Sequence, residues 1–326
     1  MNQLLLFSFA SNMLWLNALL LIAGVAIVLW GADKLTEGAV GLAERMGIPQ
    51  MVIGLTIVAC GTSMPEFCVS LVSAVKGTPD LAIGNVVGSN IFNALLIVGC
   101  AAMVSPIAIL KSTVKKDIPF ALVASVVMLM LCLNGDISRL DALIFVAMFV
   151  VFMAITLKDA KKDGGKDAAD GETTTAEVTP VKAVAMVAIG LVCLILGSNV
   201  FVDNASMVAS TLGVSDAVIG LTIVACGTSL PELATSIVAA RKGNSGIAIG
   251  NVLGSNVFNI LFILGVTGLI SPMTIDGITS VDLCMMVISM ILLWLFSFTK
   301  YSIERWEGAV LALIFIGYTS YLIFNA

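Results

Sequence analysis

The sequence predicts an all-α integral membrane protein, with ten transmembrane helices arranged as two inverted five-helix repeats and broken helices at the membrane midplane. Three observations carry that expectation. First, 59% of the 326 residues are apolar, 11% are charged and none is histidine, whereas an ordinary soluble domain carries about 25% charged residues. Second, the apolar residues gather into ten runs, each close to the roughly 20 residues that cross about 30 Å of hydrocarbon. Third, one half of the chain repeats the other at a constant offset of 166 residues. The ten spans leave no room for a sizeable soluble domain, and the composition argues against nucleic-acid binding.

The expected spans run from Trp15 to about Leu42, Met51 to Val75, Leu81 to Val104, Ile118 to Leu133, Leu140 to Leu157, Val181 to Val208, Ala217 to Ala240, Ile247 to Ile270, Val281 to Phe298 and Gly308 to Phe324. Charged or Pro/Gly-bearing breaks separate them. No basic residue precedes the first run, so it lacks the charged leader of a cleaved signal peptide and reads as a retained span. With the N-terminus outside, the inner connections hold 14 of the 16 basic residues, and the outer ones hold only Lys76 and Arg139. Basic residues concentrate on the cytoplasmic side, which places both termini outside and the central connection in the cytoplasm of a cell (inner) membrane protein.

The expected domains are therefore 1–157 for the first repeat, 158–180 for a cytoplasmic linker and 181–326 for the second repeat. The linker alternates Asp, Lys, Gly, Ala and Thr without apolar periodicity, as a mobile segment does, and is too short for a regulatory domain. All seven cysteines fall inside spans and none forms a CxxC pair, so they read as buried free thiols rather than disulfides or zinc ligands.

The repeat is close. VIGLTIVACGTSMPEF at 52–67 returns as VIGLTIVACGTSLPEL at 218–233, and IGNVVGSNIFNALLIVG at 83–99 returns as IGNVLGSNVFNILFILG at 249–265. The offset maps the first span onto the sixth, so each repeat holds five. Because five is odd, the second copy enters from the opposite face, which describes halves related by a pseudo-two-fold axis in the membrane plane. Transporters built this way place their substrate near the midplane, where interrupted helices of the two halves meet.

Glu66 and Glu232 are related by the repeat and lie mid-span, where an acidic residue costs about 2.5–3.5 kcal/mol on insertion scales. No Lys or Arg falls within an expected membrane core, so a bound cation is the expected compensation. Pro65 and Pro231 lack an N–H and break their helices, releasing backbone oxygens toward a cavity. Thr62 and Ser63 stand four and three residues before Glu66, as Thr228 and Ser229 do before Glu232, so hydroxyl and carboxylate can share a face. The alternative for these hydroxyls is a bond back to their own helix. Asn85, Ser89 and Asn93 form a single stripe at i, i+4 and i+8, as do Asn251, Ser255 and Asn259; they offer oxygen ligands or, alternatively, interhelical hydrogen bonds. Gly84 with Gly88 and Gly250 with Gly254 form GxxxG pairs that suit close packing. Asp33, Glu37 and Asp203 lie near span ends and read as solvated entrance charges. An all-oxygen set suits a hard cation, and flexible placement of six or more oxygens suits calcium better than magnesium. Two or three sodium ions could occupy the same oxygens.

The paired GTS-x-PE and GN-xx-GSN-xx-N motifs resemble the alpha repeats of the sodium/calcium exchanger family, within the cation/calcium antiporter superfamily. The resemblance extends over all but the linker. It implies alternating access, with calcium extruded against several inward sodium ions and no cofactor. It further implies Glu66 and Glu232 as central ligands, assisted by Thr62, Thr228, Ser63, Ser229, Ser89, Ser255, Asn93, Asn259 and the carbonyls of Ala59 and Ala225, with the first and sixth spans as a sliding gate pair. Asn at both 93 and 259, where potassium-dependent members carry aspartate, argues against potassium co-transport. The linker lacks the calcium-sensing domains of animal exchangers.

The expected partners are calcium and sodium ions and the lipid bilayer, with the oligomeric state open. The runner-up function is a calcium/proton antiporter, in which a desolvated glutamate takes up the proton; the absence of histidine removes the usual near-neutral titrating group. A passive channel fits the inverted broken helices less well. An enzyme is not expected, since Ser, Cys and Lys lack any arrangement with a base.

Overall fold

The computed structural model describes residues 2–163, 179–212, 225–275 and 277–325, and these are helical apart from short connections and four two-residue strands. In chain order the helices are α1 (Asn2–Met46), α2 (Gln50–Thr62), α3 (Met64–Val75), α4 (Pro79–Val104), α5 (Lys111–Lys115), α6 (Asp117–Cys132), α7 (Arg139–Asp163), α8 (Pro180–Thr211), α9 (Ala225–Gly227), α10 (Leu230–Arg241), α11 (Ser245–Ile270), α12 (Ser280–Ser297) and α13 (Arg305–Asn325). Among the described residues seven helices are long and apolar enough to cross a membrane, or eight when the bent pair α2–α3 is taken as one span. Of the other two expected spans, the fourth falls on α6, which has 16 residues, and the seventh falls partly on 213–224, outside the described residues. The expected linker begins inside a helix, because α7 runs on to Asp163; its remaining residues 164–178 also lie outside the described residues.

The layering follows from which helices are apolar on all sides. In the apolar stretch of α4, 78% of residues are buried, and in that of α11, 94%, against 22% in α1, α7 and α13. α4 and α11 are therefore the centre, and α1, α7 and α13 turn most of their apolar surface outward. Close approach explains the glycines: a Cβ on Gly250 would come within 2.8 Å of the Met51 carbonyl oxygen, and one on Gly254 within 2.6 Å of that of Leu55. That is the expected packing role. The positions 166 residues after Met51 and Leu55 lie outside the described residues.

α1 and α8 are packed backbone to backbone. A Cβ on Gly31 would lie 2.9 Å from the Gly190 carbonyl oxygen, and one on Gly190 would lie 2.8 Å from that of Gly31. α1 also lies along α10, where Ala234 and Thr235 are buried. The positions 166 residues earlier, Cys68 and Val69 on α3, are exposed.

Two small sheets join the halves. β1 (Ile107–Ala108) pairs antiparallel with β4 (Ser302–Ile303) through Ile107↔Ile303, and β2 (Asp136–Ile137) pairs with β3 (Met273–Thr274) through Ile137↔Met273. Ile107 and Met273 are 166 residues apart, as are Ile137 and Ile303, so each clasp becomes the other when the halves are exchanged.

The cysteines are all free, as expected, but only Cys132 is buried; Cys60, Cys68 and Cys284 are exposed and the rest are intermediate. Burial in the bilayer and burial in the protein are different things, and an apolar thiol satisfies the first on a lipid-facing surface. The entrance charges are also more organised than expected. Asp33 and Glu37, 36% and 39% exposed, both pair with Lys242 at the end of α10, and Lys34 bonds Glu37 at 2.8 Å. Asp203 is exposed.

Candidate cation site

The site begins with two helix breaks. Ser63, at φ −85° and ψ 9°, ends α2, and α3 departs at 47° with Pro65 in its first turn. Ser229 sits at φ −90° and ψ 8° before α10, with Pro231 in the same place. A proline ring leaves no N–H and clashes with the carbonyl four residues earlier, so the chain must turn there. Each break also creates a helix N-terminus whose dipole favours negative charge, and Glu66 and Glu232 occupy those first turns. Both glutamates are 1% exposed. Their cost of burial is thus partly offset by the break that precedes them. Opposite them, α4 and α11 each widen into a π-helical turn, at Phe92–Ile97 and Phe258–Ile263, a feature frequent at functional sites.

The hydroxyls cross between the halves. Ser63 Oγ donates to Glu232 Oε1 at 2.8 Å, and Ser229 Oγ donates to Glu66 Oε1 at 2.9 Å. Ser229 Oγ also lies 3.1 Å from Ser89 Oγ, and Ser255 Oγ donates to Glu232 Oε1 at 3.5 Å. Thr62 Oγ1 lies 3.1 Å from Asn251 Oδ1 of the other half and 3.3 Å from the Ala59 carbonyl; its single proton serves one of these acceptors, and the shorter contact crosses between the halves as those of the serines do. The Ala59 carbonyl also accepts from the Ser63 N–H at 3.0 Å, which leaves room for little more than one further contact. Ala225 opens the turn α9 at the equivalent point.

What remains unpartnered is more telling. Among the described residues ten buried side-chain oxygens have no hydrogen-bond partner, and five of them are Glu66 Oε2, Glu232 Oε2, Asn93 Oδ1, Asn259 Oδ1 and Thr228 Oγ1. Each is an expected ligand. A buried acceptor left unpaired costs about 1–3 kcal/mol, and more when charged, so these five atoms are the candidates for contact with a cation. No cluster of three or more His, Cys, Asp or Glu occurs among the described residues. The donor set is two carboxylates with neutral oxygens, which fits hard cations rather than zinc or copper.

Two sets of contacts were missed by reasoning along single helices. Asn85 Nδ2 donates to the Glu66 carbonyl at 3.2 Å and to Ser70 Oγ at 3.0 Å, and Asn251 Nδ2 does the same to the Glu232 carbonyl at 3.3 Å and Ser236 Oγ at 3.0 Å. For these two asparagines the interhelical reading holds: they tie each glutamate-bearing helix to its neighbour. Asn90 and Asn256 bond the side chains of Asn259 and Asn93. The available signal was identity across the repeat, since Ser70/Ser236 and Asn90/Asn256 are all 166 apart.

The comparisons with known proteins agree with this geometry. The family model described as sodium/calcium exchanger protein matches residues 16–158 and again 182–324. The chain belongs to the sodium/calcium exchanger family. The family unit occurs twice, its two starts and two ends each 166 residues apart. Relatives include the inner membrane protein YrbG of Escherichia coli, 38% identical over 84% of this chain and 88% of its own, and the sodium/calcium exchanger MaX1 of Methanosarcina acetivorans, 33% identical over 94% and 98%. Among solved structures, the sodium-calcium exchanger NCX_Mj soaked with zero Na+ and Ca2+ matches with a TM-score of 0.83 at 30% identity, covering 95% of this chain and 99% of that one. As a member of an exchanger family, the chain is a multi-pass membrane transporter of the cation/calcium antiporter kind and not an enzyme.

Proposed function

We propose that this exchanger moves sodium one way and calcium the other through a single midplane site, by alternating access. Ten spans form two inverted five-helix repeats, 1–157 and 181–326, with 158–180 as a cytoplasmic linker and both termini outside. Glu66 and Glu232 are the central ligands. Thr62, Thr228, Ser63, Ser229, Ser89, Ser255, Asn93 and Asn259, and the carbonyls of Ala59 and Ala225, complete the coordination. Support comes above all from the five unpartnered oxygens gathered on expected ligands, and also from the relatives MaX1 and NCX_Mj, which are named as sodium/calcium exchangers.

The chemistry needs little else. Calcium neutralises both carboxylates, and sodium ions on the same oxygens exclude it. Without a cation the site carries two buried negative charges, which disfavours passage between the two faces until it is refilled. If one net positive charge moves inward per cycle, the membrane potential contributes about 2.3 kcal/mol per 100 mV.

Proteoliposomes loaded with sodium and diluted into sodium-free buffer with radiolabelled calcium should accumulate calcium. Net positive charge then leaves the vesicle, so uptake should be slower under an imposed inside-negative potential than when valinomycin and symmetrical potassium hold the potential at zero. Uptake indifferent to sodium but driven by a pH gradient would replace this reading with calcium/proton antiport.

A further inference from the structure

We infer that Asn90 and Asn256 are positioning residues: each turns the amide of the other half's ligand so that its oxygen, and not its nitrogen, faces the cation. This rests on the ligand roles proposed above for Asn93 and Asn259, and it adds two residues that touch no ion.

The argument is a donor and acceptor inventory. An asparagine side chain has one end that only accepts and one that only donates, and a half-turn of the amide exchanges them. A ligand asparagine is useful in one of these orientations alone, because the other presents an N–H dipole to a positive ion. Something must choose. Asn256 Nδ2 donates to the Asn90 carbonyl at 3.3 Å and lies 3.3 Å from Met290 Sδ, and neither of those atoms can donate in return. Asn256 therefore has to present Oδ1 on its other side, where Asn93 Nδ2 donates to it at 3.0 Å. With its nitrogen held there, Asn93 leaves Oδ1 on the opposite side, buried and without a partner.

The same logic runs through the other half. Asn90 Nδ2 lies 3.9 Å from Met286 Sδ, and its Oδ1 accepts from Asn259 Nδ2 at 3.4 Å. Asn259 Oδ1 is again the unpartnered atom. All four asparagines are at most 1% exposed, so no solvent can compete for these groups. Both relays end on methionines of α12, residues 286 and 290, and each crosses from one repeat to the other. A ligand of the first half is thus set by the second, and the converse, which couples the coordination to the contact between α4 and α11.

A carboxylate has two equivalent oxygens and needs no such orientation, which separates positioning from packing. Apparent calcium affinity is read in proteoliposomes by sodium-driven uptake over a range of calcium concentrations. Asn256→Leu in the otherwise unaltered chain should weaken calcium by about fivefold to tenfold, the worth of one buried hydrogen bond. In an Asn93→Asp background the same Asn256→Leu change should cost less than about twofold, since residue 93 then presents oxygen whichever way it turns. An equal penalty in both backgrounds, or no penalty in either, overturns the inference. Asn90→Leu read with and without Asn259→Asp asks the mirror question, and serves where Asn256→Leu does not fold. Asn93→Ala separates the two levels. If it weakens calcium while Asn256→Leu does not, orientation fails and the ligand assignment stands; if it leaves calcium unchanged, the assignment fails and the inference with it.

Discussion

Replacing Glu66 or Glu232 with glutamine exchanges one oxygen for an NH2 group and tests the core of the site. The Glu66→Gln side chain would keep an oxygen for the Ser229 hydroxyl, now 2.9 Å from Glu66 Oε1, and would put its NH2 group where the unpartnered Oε2 stands. The cation would lose one charged ligand and face a donor in its place. Breaking one member of a buried ion pair costs about 3–5 kcal/mol, and about 1.4 kcal/mol is a factor of ten. Calcium binding to either variant should therefore weaken by about two to three and a half decades. Stability without calcium should move the opposite way or not at all, because the substitution removes a charge that is only 1% exposed and has hydroxyls for company. Two measurements on purified protein in detergent check this: calorimetric calcium binding, and thermal unfolding in chelator. A dissociation constant within about threefold of the unaltered chain, for either variant, would show that the cation lies elsewhere.

The remaining expectations concern the supports of the site and of its moving parts. Ser63→Ala and Ser229→Ala each remove a proposed ligand oxygen; an interaction with a charged group is worth about 1.5–3 kcal/mol, partly offset by the hydroxyl–carboxylate bonds of 2.8 and 2.9 Å that are also lost, so transport should need more calcium, by up to about tenfold, measured as the half-saturating concentration. Gly190→Leu would drive a side chain into the backbone of α1, where even a Cβ would meet Leu35 N at 2.6 Å. It should lower unfolding stability by about 1–3 kcal/mol or more, seen as a fall in melting temperature. Lys242→Gln releases Asp33 and Glu37, but these groups are about a third exposed, so the loss in a thermal scan should stay below about 1 kcal/mol.

Much of the architecture could be read along the chain because it is periodic or repeated. Apolar runs located the long helices but not the short α5, which lies in an expected connection, and Pro65 and Pro231 located the breaks, which fall on matching serines. The glutamates stood out because a charge mid-span demands a reason. What could not be read is what passes between helices. Spacing arguments placed Thr62, Ser63 and Glu66 on one face, yet each serine bonds the glutamate of the other half. The clasp strands are two residues each, too short for any periodicity to register. Asn90 sits one residue after Ser89 and so off the predicted stripe, and only its contact with the other repeat gives it a task. Lys242 looked like one more cytoplasmic charge until the fold brought it beside Asp33 and Glu37.

The unequal surroundings of α3 and α10 have a further meaning. Two stretches related by the repeat would be surrounded alike if the halves obeyed their symmetry, yet Thr235 is 0% exposed and Val69 is 41% exposed. On the alternating-access reading proposed above, this asymmetry puts the molecule at one end of a seesaw, and the other end can be drawn by renumbering: add 166 to every residue of the first half and subtract it from the second. In that drawing α8 lies along α3, Val69 is covered, Thr235 is bare, and Lys76 stands where Lys242 stands now, beside Asp203 in the place of Glu37. On that reading the repeat itself describes the second conformation, and spectroscopic distances between α1 and α10 should lengthen as those between α8 and α3 shorten; distances that stay fixed through the transport cycle would refute it.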